Sequence, residues 1–120
     1  TMGPIWDFDW AYGYEVTGQH FGNANKDLFW SNEKSGTTFF KRLMLSDPKI
    51  KLLIKEYWSN FLKSHLEDLM AYIDDQAFII RGAKARNLEL WNRNLVTDEI
   101  VMKQWIENRI TYVNSFINSL

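Results

Sequence analysis

The spacing of apolar residues divides the chain into two unlike parts. From residue 37 onward, apolar residues recur at intervals of three and four, which places them on one face of an α-helix. Residues 1 to about 36 lack this periodicity and are rich in glycine, asparagine and aromatic residues. The pattern therefore predicts a mainly α fold, in which a short N-terminal strand or loop segment is followed by a bundle of about four helices.

Local signals indicate where these helices begin and end. Asp47 and Pro48 are typical of an N-cap and a first helical position, so the second helix is expected to start there, after a shorter first helix. A long third helix is predicted from about Leu66 to Trp91. The last helix is expected to start at Thr97, with Ile100 three residues on, or with Asp98 as its cap, because the sequence before it breaks the helical spacing.

The helical stripes contain several large aromatic residues, which predict a well-filled core. Trp58, Trp91 and Trp105 all fall on these stripes, and packing in the core is their simplest interpretation. Lys84 is the one polar residue on the stripe of the third helix. Arg109 lies beside the stripe of the last helix, where it is either a buried structural cation or a solvated one.

The N-terminal stretch "GPIWDFDWAYG" alternates with a period of two. This places Trp6, Phe8 and Trp10 on one face of a strand, and Asp7 and Asp9 on the other. Residues two apart in a strand are separated by about 6.6 Å, so both carboxylates could bind one or two hard divalent cations. The alternative is that they are two solvated acids on the outer face of an edge strand.

Composition narrows the possible functions. The 120 residues are 46% hydrophobic and include no cysteine, which fits one domain without disulfides or thiolate metal sites. The formal charge of -1 disfavours nucleic acid as a partner. No apolar run reaches the roughly 18 residues that span a membrane. Phosphate-binding loops of the Walker type, G-x-G-x-x-G and the G-x-S-x-G elbow are also missing from the sequence.

Three further features are better explained by structure than by catalysis. His20 and His65 are not part of any motif with the spacing of metal ligands. We expect His20 to be a loop residue and His65 to lie at a helix junction. The basic cluster "RGAKAR", residues 81–86, could contact phosphate or acidic groups. A solvated face, or ion pairing with Glu89 and other nearby acids, is the more common role of such a cluster.

The order of several pieces resembles the C-terminal part of the CotH (spore coat protein H) kinase family. These pieces are "GPIWDFDWAYG", a loop, "FFKRLMLSDP", a long helix closing at "RNLELW", and "WIENRITYVNSF", which together cover residue 3 to about residue 118. The family is similar to atypical, secreted-type kinases that phosphorylate serine on coat or extracellular proteins. Its W-D-F/Y-D segment stands where ordinary kinases have D-F-G, whose aspartate holds metal against the nucleotide phosphates.

The resemblance implies roles for individual residues. Asp7 would be the metal-binding aspartate, and Asp9 a second ligand or an orienting acid. Trp6 and Phe8 would serve in packing, and no catalytic residue is assigned within this chain. The implied cofactors are Mg²⁺ or Mn²⁺ with ATP in the full-length protein, and none is expected to be required for folding.

The resemblance also implies a place within a larger protein. In kinase order the other catalytic parts precede the metal aspartate, and only six residues precede Asp7. The expectation is one domain over residues 1–120, forming a C-terminal fragment of a kinase-like protein. Residues 1–36 would form its metal-motif and loop segment, and residues 37–120 its helical bundle, similar to the C-terminal lobe of an atypical kinase.

The implied partners are the N-terminal kinase lobe of the parent chain and a protein substrate, with neither nucleic acid nor a membrane span. A bacterial, secreted protein at the cell surface or otherwise outside the cytoplasm is implied by the resemblance alone. This chain by itself is expected to be inactive. The alternative is a non-catalytic helical domain that binds other proteins.

Overall fold

The structure is a computed structural model that describes residues 22–29, 35–91 and 99–120. Four helices account for most of these residues, and no strand occurs among them, so the predicted mainly α fold is confirmed. The strand predicted around Trp6–Trp10 lies outside the described residues. The helices are α1 (Ser35–Ser46), α2 (Pro48–Ser64), α3 (Leu66–Trp91) and α4 (Glu99–Ser119).

Both ends of α2 follow from its sequence. The side chain of Asp47 accepts a hydrogen bond from the backbone N–H of Lys49 at 2.8 Å, and Pro48 occupies the first turn, so the predicted N-cap is confirmed. His65 caps the other end, where its N–H donates to the carbonyl of Phe61 at 3.0 Å. Helix α3 begins at the next residue, and His65 is therefore the junction residue that the sequence predicted.

Helix α2 lies at the centre of the arrangement. It packs against α1, α3 and α4, and α3 also packs against α4. Two ion pairs fix α3 and α4 as antiparallel neighbours: Lys84 with Glu99, and Lys103 with Asp74. Among the four helices, α1 packs against α2 alone, so the bundle consists of three mutually packed helices with a fourth on one side.

Few apolar residues within the described part of the chain are buried. The buried hydrophobic residues within the described ranges are Ala24, Phe29, Ile73, Ile106 and Ile117, and α2 contains no buried residue. Trp58 and Trp105 are half-buried, in line with their predicted packing. Within the described ranges, no helix combines the length and apolar character needed to cross a membrane.

The predicted core position of Trp91 is wrong, because its side chain is 67% exposed. Leu88, on the same stripe of α3, is also exposed. Both residues lie in what we call the α3 tail, residues 84–91. The tail follows the helical spacing of the rest of α3, but its apolar residues Leu88, Leu90 and Trp91 are exposed.

Candidate functional site

The two aspartates predicted as metal ligands, Asp7 and Asp9, lie outside the described residues. Their role therefore stays a prediction. In the part of the chain that the structure describes, no group of three or more histidine, aspartate or glutamate side chains could hold a metal ion. Carboxylate oxygens are the ligands that Mg²⁺ and Mn²⁺ prefer, so the chemistry of these two side chains fits such an ion.

The loop at residues 22–29 is the described segment that lies closest in sequence to the aspartate motif. Polar side chains within the loop form its turns. The side-chain oxygen of Asn23 accepts a hydrogen bond from the backbone N–H of Asn25 at 2.9 Å. Its backbone carbonyl accepts one from the N–H of Lys26 at 3.1 Å. Asp27 accepts from the N–H of Phe29 at 2.6 Å. Such short-range bonds give the loop a defined local shape.

Arg109 of α4 fastens this loop to the helical bundle. Its Nη1 donates to the carbonyl of Ala24 at 3.0 Å and to the carbonyl of Lys26. The guanidinium carbon lies 5.0 Å from the centre of the Tyr112 ring, within cation–π range. Burial lowers the pKa of Arg109, while the charges of Tyr112 and Asp27 act in the opposite direction. The guanidinium remains charged at neutral pH, so both hydrogen bonds are charge-assisted.

An aromatic contact forms the second attachment of the loop. Phe29 is buried and meets Phe116 of α4 edge-to-face, with ring centres 5.7 Å apart. The ammonium of Lys41, on α1, lies 5.8 Å from the centre of the Phe29 ring. Ala24 is buried as well. The loop is therefore part of the packed structure, although its sequence shows no helical or strand pattern.

The role of Arg109 could be predicted only in part. Its place beside the α4 stripe left both a buried structural cation and a solvated one open, and the structure shows a half-buried one. The carbonyls that it binds lie 83 and 85 positions earlier in the chain. Backbone carbonyls carry no signature in the sequence, so no local pattern could identify these acceptors.

An apolar groove of about 440 Å³ lies between α2 and α4. Next to it, the indole N–H of Trp58 donates to the side-chain oxygen of Asn114 at 3.1 Å, and the Trp58 ring stacks on Phe61. The groove presents almost no polar atoms, so its chemistry suits apolar contact. Its lining residues are Ile50, Leu53, Ile54, Tyr57, Trp58, Phe61 and Ile117.

The basic cluster at residues 81–86 is engaged mainly in structural contacts. Lys84 forms an ion pair with Glu99 at 2.9 Å, so the cluster does pair with an acid, on α4 rather than at Glu89. The hydrogen bond from Lys84 is the main reason why the pKa of Glu99 is lowered. The guanidinium carbon of Arg81 lies 3.6 Å from the centre of the Phe78 ring. Lys84 therefore stands on the α3 stripe because it joins α3 to the first turn of α4.

The two histidines offer no site in the described part of the chain. His65 is the exposed C-cap of α2, and His20 lies outside the described residues. The structure therefore brings together the loop and α4, through Arg109 and Phe116, and leaves the aspartate motif as a prediction.

The chain was compared with known protein families, curated proteins and solved structures. Residues 1–118 match the family described as "CotH kinase protein". Comparisons with the curated proteins and with the solved structures gave no match. The matched range includes the W-D-F-D stretch, the anchored loop and nearly all of the four helices. On this match, the chain belongs to the CotH kinase protein family.

Proposed function

We propose that this chain supplies the divalent-metal segment and the helical part of a CotH-like atypical protein kinase. The observation that carries the proposal is the family match over residues 1–118, because it contains the W-D-F-D stretch and the helical bundle together. The activity of the full-length protein would be ATP-dependent transfer of a phosphoryl group to a protein substrate. We propose that this protein acts at the cell surface or elsewhere outside the cytoplasm, as the family resemblance implies.

Asp7 is the proposed metal ligand, and Asp9 is a second ligand or an acid that orients the first. When bound, Mg²⁺ or Mn²⁺ would hold and neutralise the phosphates of ATP. Within the described residues, no group of three or more acids or histidines could hold a metal ion. Asp7 and Asp9 are the residues that we propose for this role.

The chain alone is proposed to be inactive. Phosphoryl transfer depends on positioning, and it needs a cover over the phosphates, a lysine on the nucleotide and a residue that orients the attacking hydroxyl. We assign none of these roles within the chain and propose that the N-terminal kinase lobe of the parent protein supplies them. The α3 tail has three exposed apolar residues, Leu88, Leu90 and Trp91. Such an exposed apolar surface is consistent with packing against further protein.

The same exposed residues favour a second candidate function, a non-catalytic helical domain that binds another protein. The two functions differ in their response to metal. We expect Mg²⁺ or Mn²⁺ to shift or broaden the NMR amide signals of Asp7 and Asp9 at lower concentration than those of other acids. Asp7→Asn should abolish this early response. The matched control is Asp75→Asn, which removes an exposed acid in the middle of α3 and should leave the response intact. Equal, weak shifts at all exposed acids would favour the binding domain.

Activity gives an independent test. The purified chain, mixed with ATP, Mg²⁺ and a serine-containing protein, should transfer no phosphate, whereas the full-length protein should do so. In the full-length protein, Asp7→Asn should abolish transfer and Asp75→Asn should not. Phosphate transfer by the isolated chain would contradict its proposed dependence on the rest of the protein. Full activity of the Asp7→Asn protein would contradict the metal role.

A further inference from the structure

One face of α3 is exposed along most of the helix. Asp74 and Lys84 form the ion pairs with α4, so they mark the side of α3 that packs against it. Helical spacing places a second set of residues on the opposite side. All of them are exposed, and Tyr72, Ile79 and Leu90 are large apolar residues with 60%, 67% and 75% exposure. We call this the outer face of α3; it comprises Tyr72, Asp75, Ile79, Gly82, Ala83, Arg86 and Leu90.

The charges on the outer face are arranged so that they match those of a second copy of the chain. Asp75 lies in the N-terminal half of the face and Arg86 in its C-terminal half, and their midpoint falls between residues 80 and 81. If two copies pair antiparallel about that midpoint, Asp75 of each copy lies opposite Arg86 of the other. A parallel pair would instead set aspartate against aspartate and arginine against arginine, which like-charge repulsion disfavours.

The apolar residues of the outer face share nearly the same centre. Tyr72 and Leu90 are equidistant from residue 81, so the antiparallel arrangement places Tyr72 of each copy opposite Leu90 of the other. Ile79 and Gly82 are also placed symmetrically about the midpoint of Asp75 and Arg86. Ile79 of each copy therefore meets Gly82 of the other, where the missing side chain leaves room for it and lets the two helices approach closely.

This arrangement also gives a reason for glycine at position 82. Glycine in the interior of a helix destabilises it relative to alanine. A Cβ atom added to Gly82 would meet no atom within 4 Å, so no contact among the described residues requires glycine there. A helix that packs over this position from a second copy would require a small residue.

The size of the outer face suits a reversible dimer. From Tyr72 to Leu90 the helix rises by about 27 Å, and a helix is about 10 Å across. A strip of these dimensions falls short of a standard interface, which buries roughly 800 Å² on each partner. We therefore expect an association that dilution reverses.

We infer that two copies of this chain associate through the outer faces of α3, packed antiparallel. Asp75 of each copy then lies beside Arg86 of the other, with Ile79 over Gly82 between the two charge pairs. This inference does not depend on the proposed kinase function. Leu88 and Trp91 lie on other sides of α3, so the pairing leaves them available to further protein.

Sedimentation equilibrium of the 120-residue chain tests the association. The average mass should rise from that of one copy towards that of two as the concentration increases. Asp75→Arg and Arg86→Asp should each weaken the dimer at least about tenfold, because like charges then lie opposite each other twice. The matched controls are Glu56→Arg and Lys63→Asp, which make the same charge changes at exposed positions of α2 and should leave the dissociation constant unchanged. A chain that stays monomeric at every concentration would overturn the inference.

A double variant separates a lost charge pair from general damage to the chain. Asp75→Arg combined with Arg86→Asp places each arginine opposite an aspartate again, so it should restore the dissociation constant of the unchanged chain to within a few-fold. Added salt should weaken the unchanged dimer and the double variant alike, because both depend on attraction between exposed charges. If the double variant associates no better than either single variant, the two residues do not pair between copies.

The absence of cysteine from the chain allows a test of direction. Chains with Tyr72→Cys, labelled with ¹⁵N, are mixed with unlabelled Leu90→Cys chains and oxidised, and mass spectrometry counts the disulfide-linked pairs. The mixed pair should predominate, because residues 72 and 90 lie opposite each other. Two residues 72 are about 27 Å apart in the antiparallel dimer, too far for a disulfide. A predominance of pairs between identical chains would overturn the antiparallel arrangement.

Discussion

Helix α4 and the α3 tail have similar apolar spacing but different surroundings. In α4, Ile106 and Ile117 are each 5% exposed, and the helix packs against α2, α3 and the loop. On the stripe of the α3 tail, Leu88 is 49% exposed and Trp91 is 67% exposed. A stripe of apolar residues thus predicts a helix in both places, but burial only where another element lies alongside.

The lengths of the helices explain the difference. Helix α3 has 26 residues and α2 has 17, so they extend over about 39 and 26 Å. The two helices are joined at His65 and pack against each other. Helix α4 reaches α3 only as far as the pair of Glu99 with Lys84. Residues 85–91 of the tail continue beyond that pair, and their exposed apolar side chains offer a surface for further protein.

The largest expected effect comes from removing a buried residue of α4. Ile106→Ala should lower the free energy of unfolding by about 2–4 kcal/mol, since it deletes buried methyl groups and leaves a cavity. The matched change in the α3 tail, Leu90→Ala, should alter it by only about 0.5 kcal/mol or less, because its side chain is already in water. Urea denaturation followed by circular dichroism measures both values. A loss at Leu90 as large as that at Ile106 would show that the tail is covered in solution.

The same contrast shows which features the sequence predicts well. The bounds of α3 and the N-cap at Asp47 agree with prediction, since both depend on side chains close together in sequence. The exposure of Trp91 could not be predicted, because it depends on where the neighbouring helices end. The contact of Arg109 with the loop joins residues more than 80 positions apart and involves backbone carbonyls. The metal role of Asp7 and Asp9 stays a prediction.

A side-chain hydrogen bond between Trp58 and Asn114 joins α2 to α4. We expect no such bond between the α3 tail and another helix. Trp58→Phe keeps an aromatic ring but removes the indole donor, so it should lower the free energy of unfolding by about 1 kcal/mol. Combining it with Asn114→Ala should cost less than the sum of the single changes. Tyr57→Phe, at an exposed neighbouring position, is the control and should have little effect. Strict additivity of the two changes would contradict the bond.

A change near the tail should stabilise the chain instead. A Cβ atom added to Gly82 of α3 meets no atom within 4 Å. Gly82→Ala should therefore raise the free energy of unfolding by about 0.5–1 kcal/mol, through helix propensity alone. The reverse change at the exposed neighbour, Ala83→Gly, should lower it by about the same amount. If Gly82→Ala destabilises the chain, protein must approach this side of α3 more closely than the described residues do.

The smallest expected effect concerns the ion pair that joins the beginning of the tail to α4. The hydrogen bond from Lys84, then the bond of Glu99 to its own backbone, lower the pKa of the Glu99 carboxyl below its ordinary value of 4.5. The unfolded chain therefore takes up this proton at a higher pH than the folded chain does. The stabilisation from the pair is complete above the pKa of the unfolded state, and it is lost as the pH falls through the pKa of the folded state.

Glu99→Gln should accordingly lose stability relative to the unchanged chain at neutral pH, and the difference should shrink as the solution is acidified below the ordinary pKa of glutamate. Urea denaturation at a series of pH values measures this difference. In a Lys84→Met background, Glu99→Gln should show a weaker pH dependence, because the main cause of the lowered pKa has gone. Added salt should weaken it too, since both side chains are partly exposed. An unchanged pH dependence without Lys84 would show that this pair does not connect the tail to α4 in solution.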